Sequence, residues 1–218
     1  MIASAARTVA RKRPRRRASL LCLVAALSCA ATPARARDNY ARLASLDALE
    51  YRIRLSIPEA SDEISAEATI LFNVTADAPR ELPLDFGALT VDGVTENGRA
   101  AVFRQTGGRL LVALAGAYKR GELLNVSVRY HGRPSDGLFF KRNKFGDRTV
   151  FADNWPNRAH YWFPSVDHPY DKAKVEFDVT APARYDVIAN GRLIETTTTR
   201  GGTRLTRWRE DVEIPVYC

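Results

Sequence analysis

An all-β fold, built as an antiparallel sandwich, is what this sequence of 218 residues predicts. Three observations carry the prediction. Apolar and polar residues alternate along several segments, the period of a strand with one buried and one wet face. Turn-forming residues punctuate the chain about every ten positions. No window of about a dozen residues repeats at the helical period of about 3.6.

The first strand is expected over 49–58 (LEYRIRLSIP), where Tyr51, Ile53, Leu55 and Ile57 share one face and Glu50, Arg52, Arg54 and Ser56 the other. Pro58, Ser61 and Asp62 then supply turn chemistry. The second strand is expected over 63–75, with Ile64, Ala66, Ala68, Ile70, Phe72 and Val74 on one face. Shorter runs follow at 81–86, 89–94, 100–105 and 109–114. Asn97-Gly98 suits a tight hairpin turn, and Gly107-Gly108 does the same for the next pair. Residues 123–131 alternate again, and 175–180, 185–189 and 204–209 complete the set. The stretch 133–173 breaks the pattern and reads as loop. Functional groups concentrate on loops held by a rigid scaffold, so a site is expected there.

The formal charge of +8, from 33 basic and 25 acidic residues, is misleading. Eight basic residues and no acid lie in 1–36, so the remainder is balanced, 25 against 25. A nucleic-acid footprint needs a clustered basic surplus on the folded part, so nucleic acid is excluded as a partner. Residues 1–36 read as a signal peptide of bacterial type. A basic start is followed by an uncharged run, Ala18 to Ala31, and by small-residue sites ending at Ala30 and Ala36. That run is 14 residues long, short of the roughly 20 that a membrane-spanning helix needs, and no later segment is longer. The product is expected to be exported, periplasmic or extracellular. Arg16-Arg17 as a twin-arginine signal, Cys29 as a lipid-anchored cysteine and retention of the segment uncleaved are the alternatives. Residues 37–218 are left as one domain. Its one cysteine, Cys218, forms no internal disulfide.

Candidate chemistry is sparse. The histidines are His131, His160 and His168, with no H-E-x-x-H pair among them. Ser165, Asp167 and His168 are the residue types of a hydrolytic triad, but they crowd too closely in sequence for groups that must converge from separate elements. Asp153, Asp167 and Asp171 are carboxylates of the kind glycoside hydrolysis uses in pairs. Trp155, Tyr161, Trp162 and Phe163 form an aromatic cluster, read either as core or as a platform for carbohydrate or peptide.

At 151–173 the chain reads FADNWPNRAHYWFPSVDHPYDKA. This resembles the segment T-Q-x-E-P-x-x-A-R-x-x-F-P-C-x-D-E-P-x-x-K-A of the N-terminal domain of the aminopeptidase N family of zinc metallopeptidases. Pro156, Ala159, Phe163, Pro164, Asp167, Pro169, Lys172 and Ala173 fall on that pattern in register. Asp136-Gly137-Leu138-Phe139 is similar to the family's G-L-Y turn. Tyr185 to Gly191 is similar to its Y-x-x-x-S-N-G strand end, and Trp208 to Tyr217 to its W-x-x-x-x-P-I-x-x-Y.

The resemblance implies a saddle-shaped sandwich that walls the substrate cleft and packs on a catalytic domain. It implies zinc as the cofactor of the complete enzyme, with none on this chain, and the amino terminus of a peptide as the substrate group bound. The family holds that amino group partly with the Gln and Glu of T-Q-x-E. Here Asp153 and Trp155 stand at those positions, so Asp153 and its neighbour Asn154 are the candidate substrate-binding residues. The family's G-x-M-E-N and H-E-x-x-H motifs are absent from the sequence. The chain is therefore expected to be the front piece of a longer enzyme, with an incomplete C-terminal edge, and alone to bind no catalytic zinc and to cleave nothing. The other reading is a self-standing exported binding module that uses the aromatic platform.

Overall fold

Alternation turns into strands nearly everywhere it occurs. In this computed structural model the described residues are 38–77, 80–199 and 201–218, and they form thirteen strands and one 3-10 turn. The expected signal segment, 1–36, with its cleavage, lipidation and twin-arginine positions, lies outside them. All the strands belong to the unit Ala41–Cys218. The strands are β1 (Leu46–Ser56), β2 (Ile64–Val74), β3 (Glu81–Asp85), β4 (Thr90–Glu96), β5 (Arg99–Ala100), β6 (Phe103–Thr106), β7 (Arg109–Ala113), β8 (Leu123–Gly132), β9 (Leu138–Arg142), β10 (Arg148–Ala152), β11 (Ala173–Pro182), β12 (Arg192–Thr198) and β13 (Thr203–Ile214). They make an eight-stranded sheet in the order β12-β13-β11-β1-β2-β8-β4-β5, a three-stranded sheet β3-β7-β6 and the hairpin β9-β10.

The inner face of the large sheet is a set of apolar rows. One row runs Val94, Val128, Ala68, Ile53, Phe177, Trp208, Leu193 across seven strands. Ile53, Ala68, Ile70, Phe72, Leu124, Val126 and Val128 are fully buried there. The three-stranded sheet closes the sandwich with Leu82, Leu84, Leu110 and Val112, also fully buried. Phe86 meets Tyr130 edge-on across this core, with ring centroids 5.1 Å apart. Burial in apolar surroundings pushes the Tyr130 phenol far up from its ordinary pKa. Glu96 is the one acid on this face of β4, and it is satisfied: its carboxylate accepts from Ala115 N at 2.8 Å and from the Tyr118 hydroxyl at 2.5 Å.

The outer face carries a row of alternating charge. Arg129, Glu67, Arg54, Asp178, Arg207 and Glu195 stand side by side on successive strands β8, β2, β1, β11, β13 and β12. Arg54 pairs with Glu67 at 3.0 Å, Arg207 with Asp178 at 2.5 Å, and Arg207 with Glu195 at 3.0 Å. A second cluster joins Arg52, Glu176, Arg209 and Glu50.

The expected all-β sandwich is present, with three corrections. First, it is not wholly antiparallel: β1 and β11 pair in parallel, Ile53 opposite Phe177. The chain returns to β1 only after building most of the domain, so no tight turn dictates the direction of that pair. Second, 185–189 forms no strand; the strand lies further on, as β12. Third, the loop-rich stretch 133–173 contains the hairpin β9-β10. The two glycine turns are as expected: Asn97 and Gly98 have φ of 48° and 79°, and Gly107 and Gly108 have 55° and 76°, the left-handed values of a tight hairpin.

Candidate functional site

The stretch from Asp153 to Asp171 leaves β10, makes one 3-10 turn at Ala159–Tyr161 and enters β11. Backbone bonds fix where it starts: Asp153 N donates to Gly137 O at 2.8 Å. Gly137 has a φ of 73°, and a Cβ placed on it would lie 2.1 Å from the Arg158 carbonyl oxygen. Only glycine permits this approach.

Asp153 is exposed, and its carboxylate is organised from its own loop. Oδ2 accepts from Arg158 Nη2 at 2.6 Å, and Oδ1 accepts from Trp155 N at 3.3 Å. Arg158 also donates to Trp155 O at 2.6 Å and approaches Asp136 at 3.6 Å. The bond between Trp155 and Pro156 is cis. Asn154 turns inward instead. Its Oδ1 accepts from the buried indole Nε1 of Trp162 at 2.8 Å, and its Nδ2 donates to Val216 O at 3.2 Å. Of the two candidate residues, Asp153 faces solvent and Asn154 braces the loop against β11 and the segment after β13.

The aromatic cluster does not lie on one surface. Trp155 is 62% exposed and meets Tyr217 edge-on, whereas Trp162 and Phe163 are each 3% exposed. Trp162 stacks on Phe177 of β11 with planes 18° apart. A flat platform needs several exposed rings, and Trp155 is the one exposed ring of the four.

The next residues are stapled to the two sheets. Asp85 and Ser165 exchange backbone bonds of 2.8 and 3.0 Å. Asp167 N donates to Asp85 Oδ2 at 3.0 Å, and Val166 N donates to the Tyr51 hydroxyl at 3.1 Å. Asp167 Oδ2 accepts from His160 N at 3.1 Å and lies 2.6 Å from His160 Nδ1. Ser165 is fully buried, so it reaches no substrate, and His168 Nδ1 accepts from Tyr170 N at 3.2 Å. The triad residue types therefore do not assemble. Nor do the three carboxylates share a surface, since Asp167 and Asp171 are 5% and 4% exposed while Asp153 is in solvent. Burial pushes the Asp171 carboxyl up to about 6, opposed in part by the bond from Ala48 N and reinforced by Asp47. Burial first, and then Asp171, push the Tyr51 phenol upward.

Two positioning contacts escape the sequence reading, one of them from Trp162, which was read only as part of the aromatic cluster. Arg158 holds Asp153 from five positions on, and Trp162 holds Asn154 from eight. A guanidinium within one turn of a carboxylate is a visible signal; the Trp162 bond has none.

Beside the loop lies a cavity of about 770 Å³, walled by β1, β10, β11, residues 184–190 and 214–218. As for a metal, among the described residues no three His, Cys, Asp or Glu side chains are grouped so as to hold one. His131 is with Asp92 and His160 with Asp167. The described residues thus do not fit a zinc site. Among them, no helix is long and apolar enough to cross a membrane.

Comparison with known proteins agrees with this architecture. The Peptidase M1 N-terminal domain family matches residues 47–218. The Tricorn protease-interacting factor F2 of Thermoplasma acidophilum is 33% identical over 116 residues, which are 51% of this chain and 14% of that protein. Among solved structures, an M1 zinc metallopeptidase from Deinococcus radiodurans superposes with a TM-score of 0.71 at 23% identity, over 79% of this chain and 40% of that one. Yeast LTA4 hydrolase in complex with bestatin gives 0.68 at 22% identity, over 84% and 30%. The chain spans less than half the length of each of these relatives. The match over 47–218 decides the assignment: the chain belongs to the M1 peptidase family and carries its N-terminal domain.

Proposed function

We propose that this chain is the N-terminal domain of an exported zinc aminopeptidase, and that its Asp153 loop walls the cleft where the amino terminus of a peptide binds. Supporting the reading is the one observation that the loop is braced from below while its carboxylate faces outward. Asn154, Trp162 and the staples to β1 and β3 hold the backbone, and Asp153 stands in solvent. A carboxylate offers about four acceptor sites, and Asp153 uses one for Arg158 and one for Trp155 N. The remaining sites suit an ammonium group. The zinc belongs, in this proposal, to the catalytic domain on which this one packs.

The test joins this chain to an M1 catalytic domain and follows release of an aminoacyl anilide product. Asp153→Ala is expected to raise KM about tenfold or more, the loss of one charge-assisted hydrogen bond, with kcat less affected. An unchanged KM removes Asp153 from the substrate site. Export is checked separately: the secreted product should begin after Ala36 by N-terminal sequencing.

A further inference from the structure

We propose that Asn97 is a deamidation site built into the β4-β5 hairpin, and that its conversion to aspartate unties residues 115–118 from Glu96. In this Asn-Gly turn the Gly98 amide nitrogen has no side chain beside it to hinder attack on the Asn97 Cγ. A bond forms from Gly98 N to that carbon, the Cγ–Nδ2 bond breaks, and Nδ2 leaves as ammonia with the Gly98 proton. Water then opens the five-membered imide, giving its hydroxyl to one of the two carbonyl carbons and returning a proton to Gly98 N. The product is aspartate, or isoaspartate with one more carbon in the main chain. The sum is one water taken up and one ammonia released, with no oxidant or reductant.

The turn is open to water, and its side-chain amide is the part the fold holds. Asn97 and Gly98 are exposed, and nothing lies within 4 Å of a Cβ placed on Gly98. Asn125 N donates to Asn97 Oδ1 at 2.9 Å, so Nδ2 is the atom that faces Tyr118, and it donates to that hydroxyl at 3.0 Å. The hydroxyl gives its single hydrogen to Glu96 Oε1 at 2.5 Å. The relay therefore has one direction, Asn97 to Tyr118 to Glu96. Turning Cγ toward Gly98 N breaks both amide bonds, so the relay sets the rate. An aspartate at this position cannot join it: the carboxylate has no N–H for Tyr118, and one phenol hydrogen cannot serve two carboxylates. Burial first, and then Glu96, push the Tyr118 phenol up to about 12, so it keeps that hydrogen at neutral pH. The new carboxylate stands one hydroxyl away from Glu96, which is 5% exposed and holds Ala115 N at 2.8 Å and Gly116 N at 3.5 Å. A Cβ on Gly116 would lie 2.9 Å from the Tyr118 ring, so a phenol pushed aside takes the 115–118 segment with it.

The test incubates the full chain at neutral pH and follows the tryptic peptide 81–99, which holds the turn, by mass spectrometry. Deamidation is expected in that peptide, more slowly in the folded chain than in a synthetic peptide of the same sequence. Tyr118→Phe removes the acceptor of Nδ2 and is expected to speed the reaction about two- to tenfold, the worth of one hydrogen bond. Asp178→Ala weakens the sheet away from the turn and is expected to leave the rate unchanged, which separates loss of the relay from general loosening. Asn97→Asp reproduces the product. It is expected to speed hydrogen exchange at the amides of Ala115 and Gly116 about tenfold or more and to leave those of β1 and β2 as they are. Circular dichroism verifies that the three variants fold. The proposal is overturned if the folded chain deamidates as fast as the synthetic peptide, if Tyr118→Phe leaves the rate unchanged or Asp178→Ala raises it equally, or if Ala115 and Gly116 exchange alike in the wild type and in Asn97→Asp.

Discussion

At the scale of single residues, the loop shows how one position can settle geometry and another charge. Gly137 is needed because its φ is 73° and the Arg158 carbonyl stands where a Cβ would be. Gly137→Ala is expected to destabilise by about 1–3 kcal/mol, read as a lower midpoint of chemical denaturation. Asp171 acts through charge. Its carboxyl is raised from 3.8 to about 6 by burial, so the folded state holds a proton that the unfolded state has released between those values. Stability contributed by this group is therefore present below pH 3.8 and lost as pH rises towards 6. Asp171→Asn should flatten the stability profile across that window, measured by urea unfolding at stepped pH. If the wild-type and variant profiles run parallel there, the burial of this carboxyl has no such consequence.

At the scale of elements, the ionic row on the outer face couples six strands. Asp178 is 6% exposed and lies between Arg54 and Arg207, at 3.8 and 2.5 Å. Removing this buried carboxylate takes from Arg207 its shortest acceptor, while Glu67 still holds Arg54 and Glu195 still holds Arg207, so the cost is about 1–3 kcal/mol. Asp178→Ala is expected to lower stability by that amount, and Arg207→Ala to add little once Asp178 is gone; full additivity in the double-mutant cycle would dissolve the network. Strands with this strict in-out alternation, β1, β2 and β8, were legible in the sequence because burial on one face writes period two into the chain. The hairpin β9-β10 was not. Leu138-Phe139-Phe140 and Val150-Phe151 place apolar residues side by side, since this small sheet covers the cavity instead of facing one core and one solvent layer. β12 was missed for the opposite reason: its residues are nearly all exposed, so no face is marked. The site was partly legible. Asp153 and Asn154 came from resemblance, not from spacing, and nothing local shows that Asn154 turns inward to Trp162.

For the whole molecule, the order of strands sets where stability resides. The four central strands β11, β1, β2 and β8 each have a neighbour on both sides, and β12 has one. Pairing β1 with β11 joins Tyr51 to Val175, so the middle of the sheet depends on segments 124 residues apart in the chain. Long-range contacts of this kind carry a large loop-closure entropy and form only when the intervening chain has organised. Sequence alternation is blind to this, because it reports which face a residue shows and not which strand lies beside it. The consequence is measurable by hydrogen exchange. Amides of Arg52 to Arg54 and of Phe177 to Val179 should exchange together, at the slowest rate in the chain and only through global unfolding, while β12 and the β9-β10 hairpin exchange by local opening. If β11 instead opens ahead of β2 and β8, the parallel pair is an appendage to a sheet that stands without it. The ionic row would then end at Arg54, and the two-sided burial of Asp178 would stabilise only the edge.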